Sequence, residues 1–168
     1  MNFAFENTTS ILLVLVTGLS AGLCFTWLNA VTPGIGNLDN QGYLNAFQQM
    51  NRTIINPMFF IVFFGPFFLS LITLYVNRNT SNTILWLLII ATLIYFIGVL
   101  LVTIFGNEPL NEILENTNLA SATIEELDTL RKTFEVKWNQ FHLIRTITSI
   151  VSFLLIIITL SLTTKNSI

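Results

Sequence analysis

Four stretches of the chain are almost unbroken apolar, and each has roughly the 20 residues that a hydrocarbon crossing requires. They cover residues 11–31, 57–76, 84–105 and 141–162. Backbone polar groups find no water inside a bilayer, so the pattern predicts four α-helices. After the first run, Pro33, Gly34 and Gly36 read as a helix end. Tyr43, Phe47, Met50 and Ile54 then recur at helical spacing, which predicts a short amphipathic helix on the membrane surface or capping the bundle. Asn56 and Pro57 open the second run as an N-cap and a first-turn proline. Residues 77–82 link it tightly to the third run, which ends in the polar stretch GNEPLN, residues 106–111. There the helix is expected to leave the membrane. Thr123 and Glu126 have capping-box spacing, and Leu127, Leu130, Phe134, Trp138 and Phe141 form a stripe that stays in phase into the fourth run. This predicts one long helix from about 124 to 162, with Asp128–Lys132 and Arg131–Glu135 pairs on its wet side. The predicted fold class is therefore all-α: a single-domain integral membrane four-helix bundle over residues 1–168, with a short amphipathic helix after the first span and a fourth helix extending beyond the membrane.

Composition agrees. The chain is 53% hydrophobic and only 10% charged, against about 25% charged residues in soluble domains. Its net charge of −2 comes with no basic tract, which excludes nucleic acid as a partner. One cysteine, Cys24, and one histidine, His142, leave no disulfide within the chain and no Cys/His metal cluster, so neither a metal nor a cofactor is expected. There is no Gly-rich phosphate loop and no Ser/His/Asp order. The N-terminal run has Glu6 and no Lys or Arg before it, and reads as a retained helix rather than a cleavable signal. Gly18 and Gly22, four apart, allow close helix approach inside the bundle or, alternatively, in a homo-oligomer. The lipid bilayer is the implied partner; raw counts of basic residues favour the two long connections in the cytoplasm, but those connections are long and mostly acidic, and cytoplasmic termini are expected.

An even number of crossings changes how the polar residues are read. It puts both termini and the 77–82 turn on one membrane face and both long connections on the other. Trp27, Pro33, Tyr43, Asn51, Asn56, Asn107, Glu108, Asn111, Trp138, His142 and Arg145 then gather at one end, while the other end keeps little beyond Arg78 and Lys165. Trp138, His142 and Arg145 stand at i, i+4 and i+7 and share a helix face. An arginine at mid-bilayer costs roughly 2.5–3.5 kcal/mol or more, so Arg145 should lie near the boundary, with Glu108 as its expected partner. His142 and Glu108 are the candidate bases. Asn51, Asn56, Asn107, Asn111 and Arg145 are candidate hydrogen-bonding groups for a substrate, with Trp27, Trp138 and Tyr43 as its walls. The alternative is structural: Asn56 and Asn107 as helix caps and the tryptophans as an interfacial belt, in a membrane scaffold or partner subunit.

The segments GLSAGLCFTWLNAVTPGI, MNRTIINPMF, GNEPLNEIL and KWNQFHLIRT occur in that order around the four runs. In this they resemble the anthrone oxygenase-like family, long catalogued as a domain of unknown function. The resemblance implies a small four-helix membrane protein, of bacterial inner membrane type, that binds or oxidises a lipophilic aromatic substrate. In some members it implies conversion of an anthrone to an anthraquinone without a recognised metal or flavin. The family pattern falls on Trp27, Pro33, Asn51, Asn56, Pro57, Asn107, Pro109, Asn111, Trp138 and Arg145. It departs at His142, where the pattern has Asn.

Overall fold

A computed structural model of the chain describes residues 3–165, with side chains from 7 to 164; the side chains of Glu6 and Lys165 lie outside the described residues. Helix α1 (Phe3–Thr26) runs through a π-turn at Trp27–Val31 into α2 (Thr32–Gly36). Helices α3 (Asn40–Ile54) and α4 (Pro57–Val76) come next. Helix α5 (Asn82–Tyr95) continues through two π-turns, Phe96–Leu101 and Thr103–Asn107, into α6 (Glu108–Glu115), and α7 (Ile124–Lys165) closes the chain.

Among the described residues, four continuous helices are long and apolar enough to cross a membrane: Asn7–Gly36, Pro57–Val76, Asn82–Glu115 and Ile124–Thr164. The chain is a multi-pass membrane protein. Helix α1 packs on α4 and α7, and α5 packs on the same two, so sequence neighbours are also spatial neighbours in an up-down-up-down bundle. At 42 residues, α7 is about 63 Å long, twice the hydrocarbon thickness of roughly 30 Å. Its first turns stand outside the membrane, where α3 and α6 dock against them.

The local signals act where the sequence puts them. The Asn56 carboxamide oxygen accepts from the Phe59 amide at 3.0 Å, with Pro57 in the first turn of α4. Glu126 accepts from the Thr123 amide at 2.7 Å, and Thr123 Oγ1 accepts from the Glu126 amide at 3.3 Å, closing the capping box of α7. Lys132 and Arg131 pair with Asp128 and Glu135 at 2.6 and 2.8 Å.

Two boundaries differ from the sequence reading. Pro33 and Gly34 do not break the first span. The π-turn ahead of them, closed by Thr32 N–H donating to Trp27 O, admits a residue without an N–H, and the helix continues to Gly36. The third span likewise does not end at residue 105. It passes the Thr103–Asn107 π-turn with Pro109 in the first turn of α6 and runs to Glu115. Both π-turns of this span bring it close to α7. A Cβ on Gly106 would meet the Phe141 ring at 2.8 Å, and one on Gly98 would collide with Thr148. Gly18 is also spent inside the bundle, where a Cβ would meet Phe153 at 2.9 Å, while Gly22 faces open space.

Helix α3 is the cap that the sequence allowed as one of two placements. Tyr43, Leu44 and Phe47 are fully buried against Leu114, Leu127, Phe134 and Trp138. Gln48 Nε2 donates to the carbonyls of Leu114 and Thr117 at 2.6 and 3.1 Å. Arg131 of α7 holds the entry to α3. Its guanidinium donates to Gly36 O and Leu38 O, both at 2.7 Å, and lies 4.5 Å from the Tyr43 ring centroid. Deeper in the bundle, Tyr95 donates to Phe63 O at 2.8 Å and accepts from Ser20 at 2.7 Å, tying α1, α4 and α5 together. Burial, reinforced by the nearby Glu135 and opposed by Arg131, raises the Tyr43 hydroxyl far above the ordinary phenol range, so it stays protonated.

Candidate functional site

The stripe of α7 turns inward as its spacing predicts. Trp138 and His142 are buried, 4% and 3% exposed, and their rings stack at 4.9 Å with an interplanar angle of 18°. Phe47 of the α3 cap covers Trp138 edge-on at 4.8 Å, and Trp27 from the first π-turn lies 5.7 Å from both Phe47 and Trp138. Arg145 completes the row with its guanidinium carbon 5.2 Å from the Trp138 centroid. An aromatic cluster with a guanidinium at its end is thus built from the first π-turn, α3 and α7.

The histidine's tautomer is set by its neighbours. Arg145 Nη2 lies 2.7 Å from His142 Nδ1, and a guanidinium can only donate. Nδ1 is therefore the acceptor, and the ring proton sits on Nε2, 3.0 Å from the Cys24 carbonyl oxygen. Both ring nitrogens are engaged. The α1 carbonyl that takes this proton lies three residues before the π-turn. Thr146, one turn further along α7, donates to His142 O at 2.9 Å and lies 3.4 Å from the same Cys24 oxygen.

Arg145 is poorly compensated. Its Nη1 donates to Thr103 Oγ1 at 3.1 Å, while Thr103 gives its own proton to Val99 O at 2.7 Å. Its Nε is buried without a hydrogen-bond partner. Among the described residues the ion pairs are Arg52–Glu115, Arg131–Glu135 and Lys132–Asp128, so no carboxylate pairs with Arg145. The expected Glu108–Arg145 pair is not formed. Glu108 is exposed and accepts from Asn111 Nδ2 at 3.3 Å. Glu108 lies on the exposed side of the third span, with its carboxylate turned to Asn111 rather than to the Arg145 row.

The amides divide. Asn107 is completely buried; its Nδ2 donates to Trp138 O at 3.1 Å, and its Oδ1 has no partner. It opens α6 without a side-chain cap. Asn111 Oδ1 accepts from Trp138 Nε1 at 2.8 Å, so a chain of hydrogen bonds runs from the buried indole to the exposed Glu108 carboxylate. Asn56 does not join: its carboxamide is used at the start of α4, by Phe59 N and, through Nδ2, by Thr53 O. Asn51 has a buried Nδ2 without a partner and no described bond into the cluster. Tyr43 reaches it only through Phe47, at 5.5 Å, and its hydroxyl has no partner.

Trp27, Asn107, Asn111, Trp138, His142 and Arg145 are thus brought together, with Glu108 at the edge. Three atoms of that group, Trp27 Nε1, Asn107 Oδ1 and Arg145 Nε, are buried and unpaired. They supply two donors and one acceptor around one aromatic stack. Thr103, Thr146 and the Cys24 carbonyl escaped the sequence reading. Thr103 and Thr146 lie four residues from Asn107 and His142, a spacing that would have put them on the right faces. Two hollows of about 470 and 410 Å³ flank the first turns of α7, lined by Glu126, Leu130 and their neighbours, and contain none of these residues.

A family model described as anthrone oxygenase matches residues 58–155, more than half of the chain and all of the site except Cys24, Trp27 and Phe47. No curated protein and no solved structure matches.

Proposed function

This chain belongs to the anthrone oxygenase family, and we propose that it binds a lipophilic aromatic ketone of the anthrone type at the Trp138–His142–Arg145 cluster and promotes its oxidation by O₂. The observation that carries this reading is the partly exposed but uncompensated Arg145 beside a stacked Trp–His pair, with unpaired buried donors and an acceptor around it. Desolvated polar groups without partners cost free energy, and a ligand that satisfies them recovers it.

Flat aromatic rings suit a box of Trp27, Phe47 and Trp138. The ketone oxygen accepts from Arg145 and Trp27, and Asn107 Oδ1 accepts from a hydroxyl on the ring system. A base, His142 with Glu108 as the second candidate, removes a proton from the methylene opposite the carbonyl. The electron pair moves onto the carbonyl oxygen as an enolate, which Arg145 stabilises. The enolate gives one electron to O₂, and recombination of the two radicals forms the C–O bond. The hydroperoxide then loses water to leave a second carbonyl. One O₂ is consumed and one water released per ketone oxidised.

The test is O₂ uptake by the purified protein with anthrone. His142→Ala should lower the rate by about 10²–10⁴-fold, the usual contribution of a positioned base. An unchanged rate in a His142→Ala, Glu108→Ala double variant removes both bases and the mechanism with them. One set of contacts favours a second reading. Asn107 to Trp138 O, Trp138 to Asn111 and Gln48 to Leu114 O stitch α3, α6 and α7 together. If the cluster only holds helix ends in register, the same substitutions lower stability, and anthrone oxidation does not depend on the protein.

A further inference from the structure

We infer that Arg145 masks the base in the ligand-free protein and is drawn off it only by a substrate oxygen, so that it determines which molecules the site can deprotonate. The inference rests on the reading of His142 as the base. It starts from the hydrogen bond between Arg145 Nη2 and His142 Nδ1, at 2.7 Å. With the ring proton committed to the Cys24 carbonyl at 3.0 Å, Nδ1 carries the one in-plane lone pair that could take a proton, and the guanidinium occupies it. The site at rest holds a base that cannot act.

The geometry of the guanidinium says what releases it. Nε–H and one N–H of Nη2 point the same way and form one edge of the planar fork, the edge that grips oxygen acceptors with two bonds. Here Nη2 is given to a neutral nitrogen, while Nε beside it is buried and empty. The opposite side of the group is tethered by Nη1 to Thr103 Oγ1 at 3.1 Å. A ligand oxygen that satisfies Nε therefore arrives in line with Nη2 and competes for it. A ketone oxygen accepts well, and better as negative charge gathers on it. Moving Nη2 to that oxygen frees Nδ1 while the adjacent C–H lies in the box. The proton then goes to Nδ1, the pair stays on the ligand as an enolate held by the Nε/Nη2 edge, and Nε2 keeps its proton, donated to the Cys24 carbonyl oxygen. Flat hydrocarbons of the same shape fill the box but leave the mask in place.

The chain has one histidine, so ¹⁵N-histidine labelling reports His142 alone in the full-length protein in detergent. Anthraquinone is the probe, since it has carbonyl oxygens and no methylene. Its binding is read as saturable quenching of Trp27 and Trp138 fluorescence in a Trp86→Phe background. The expected result is a downfield shift of the Nδ1 resonance as the donated hydrogen bond is lost, saturating with the quenching, and no shift with anthracene. Quenching by anthraquinone with Nδ1 unmoved overturns the mask and leaves the binding site standing. A shift of equal size with anthracene overturns it too, because no oxygen drew the arginine away. Neither quenching nor shift overturns both the mask and the proposed site. Arg145→Met, which keeps the length and removes every donor, should give the unmasked Nδ1 position before any ligand is added; the wild-type titration decides the question without it.

Discussion

Arg131 offers the sharpest test of how the cap is held over the aromatic box. Its side chain is 15% exposed and donates to two carbonyls at the α2–α3 junction, Gly36 O and Leu38 O, each at 2.7 Å. Hydrogen bonds from a charged donor contribute about 1.5–3 kcal/mol apiece. Two on one group do not add fully, and Leu38 is exposed, so water can replace part of the loss. The expected cost of Arg131→Ala is about 2–3 kcal/mol on the same scale. It should fall on the cap alone, because the crossing helices are held by separate contacts such as Tyr95 with Phe63 O and Ser20. At 1.36 kcal/mol per tenfold, that is about 30- to 150-fold faster local opening. Amide hydrogen exchange in detergent reads it directly: protection over residues 42–54 drops by that factor while residues 84–95 are unchanged. Arg131→Lys, with a single ammonium in place of the fork, should fall between. A change below threefold in the cap, or an equal loss across the spans, refutes the reasoning.

Gly106→Ala places a methyl 2.8 Å from the Phe141 ring, and overpacking of this kind costs about 1–3 kcal/mol; thermal unfolding of the two proteins side by side checks it, with an unchanged midpoint counting against the close approach. Pro109→Ala restores an N–H at the first turn of α6 and lets the preceding π-turn relax toward α. Asn107 should then rotate off the Trp138 carbonyl, read as a change in Trp138 fluorescence and lower O₂ uptake with little loss of helix content. Reporters inserted at residues 78–80 should map to the opposite membrane face from reporters at 37–39 and 117–121, and any other pattern removes the common end on which the site depends.

What could be read from the chain beforehand was whatever is local or periodic. The four spans are set by apolar length, α4 begins where Asn56-Pro57 says it must, and the Leu127–Phe141 stripe predicts the buried face of α7 because one helical phase holds over that whole range. The failures share a cause. Pro33 and Pro109 look like terminators, yet each sits just after a π-turn, and whether a ladder breaks or widens there depends on partners far away in sequence. Phe141 and Thr148 against Gly106 and Gly98 are such partners. The Glu108–Arg145 pair was expected from their shared membrane end alone, and sharing an end does not say which way a side chain points: Glu108 is exposed and bonded to Asn111. The tautomer of His142 was equally hidden, since it depends on a main-chain oxygen of α1, and no side-chain pattern announces that.

Two of the three π-turns also explain how the polar residues of α7 find partners inside the bundle. A regular helix keeps its carbonyls for itself, so a buried histidine or arginine on α7 would have had only side chains to bond with. Here Trp27–Val31 and Thr103–Asn107 interrupt the regular ladder on the two helices that flank α7. Four of the groups that meet the α7 row come from these turns or stand just ahead of the first: the Trp27 ring, the Thr103 hydroxyl, the Asn107 amide and the Cys24 carbonyl. They satisfy Nε2 of His142 and give Arg145 Nη1 one acceptor, and besides Trp27 Nε1 they leave two atoms empty, Arg145 Nε and Asn107 Oδ1. A bundle selected for stability alone would gain by filling or deleting those two atoms, since each unpaired buried group costs about 1–3 kcal/mol. A ligand of the proposed kind, with an oxygen for Arg145 Nε and a hydroxyl for Asn107 Oδ1, would offset that cost.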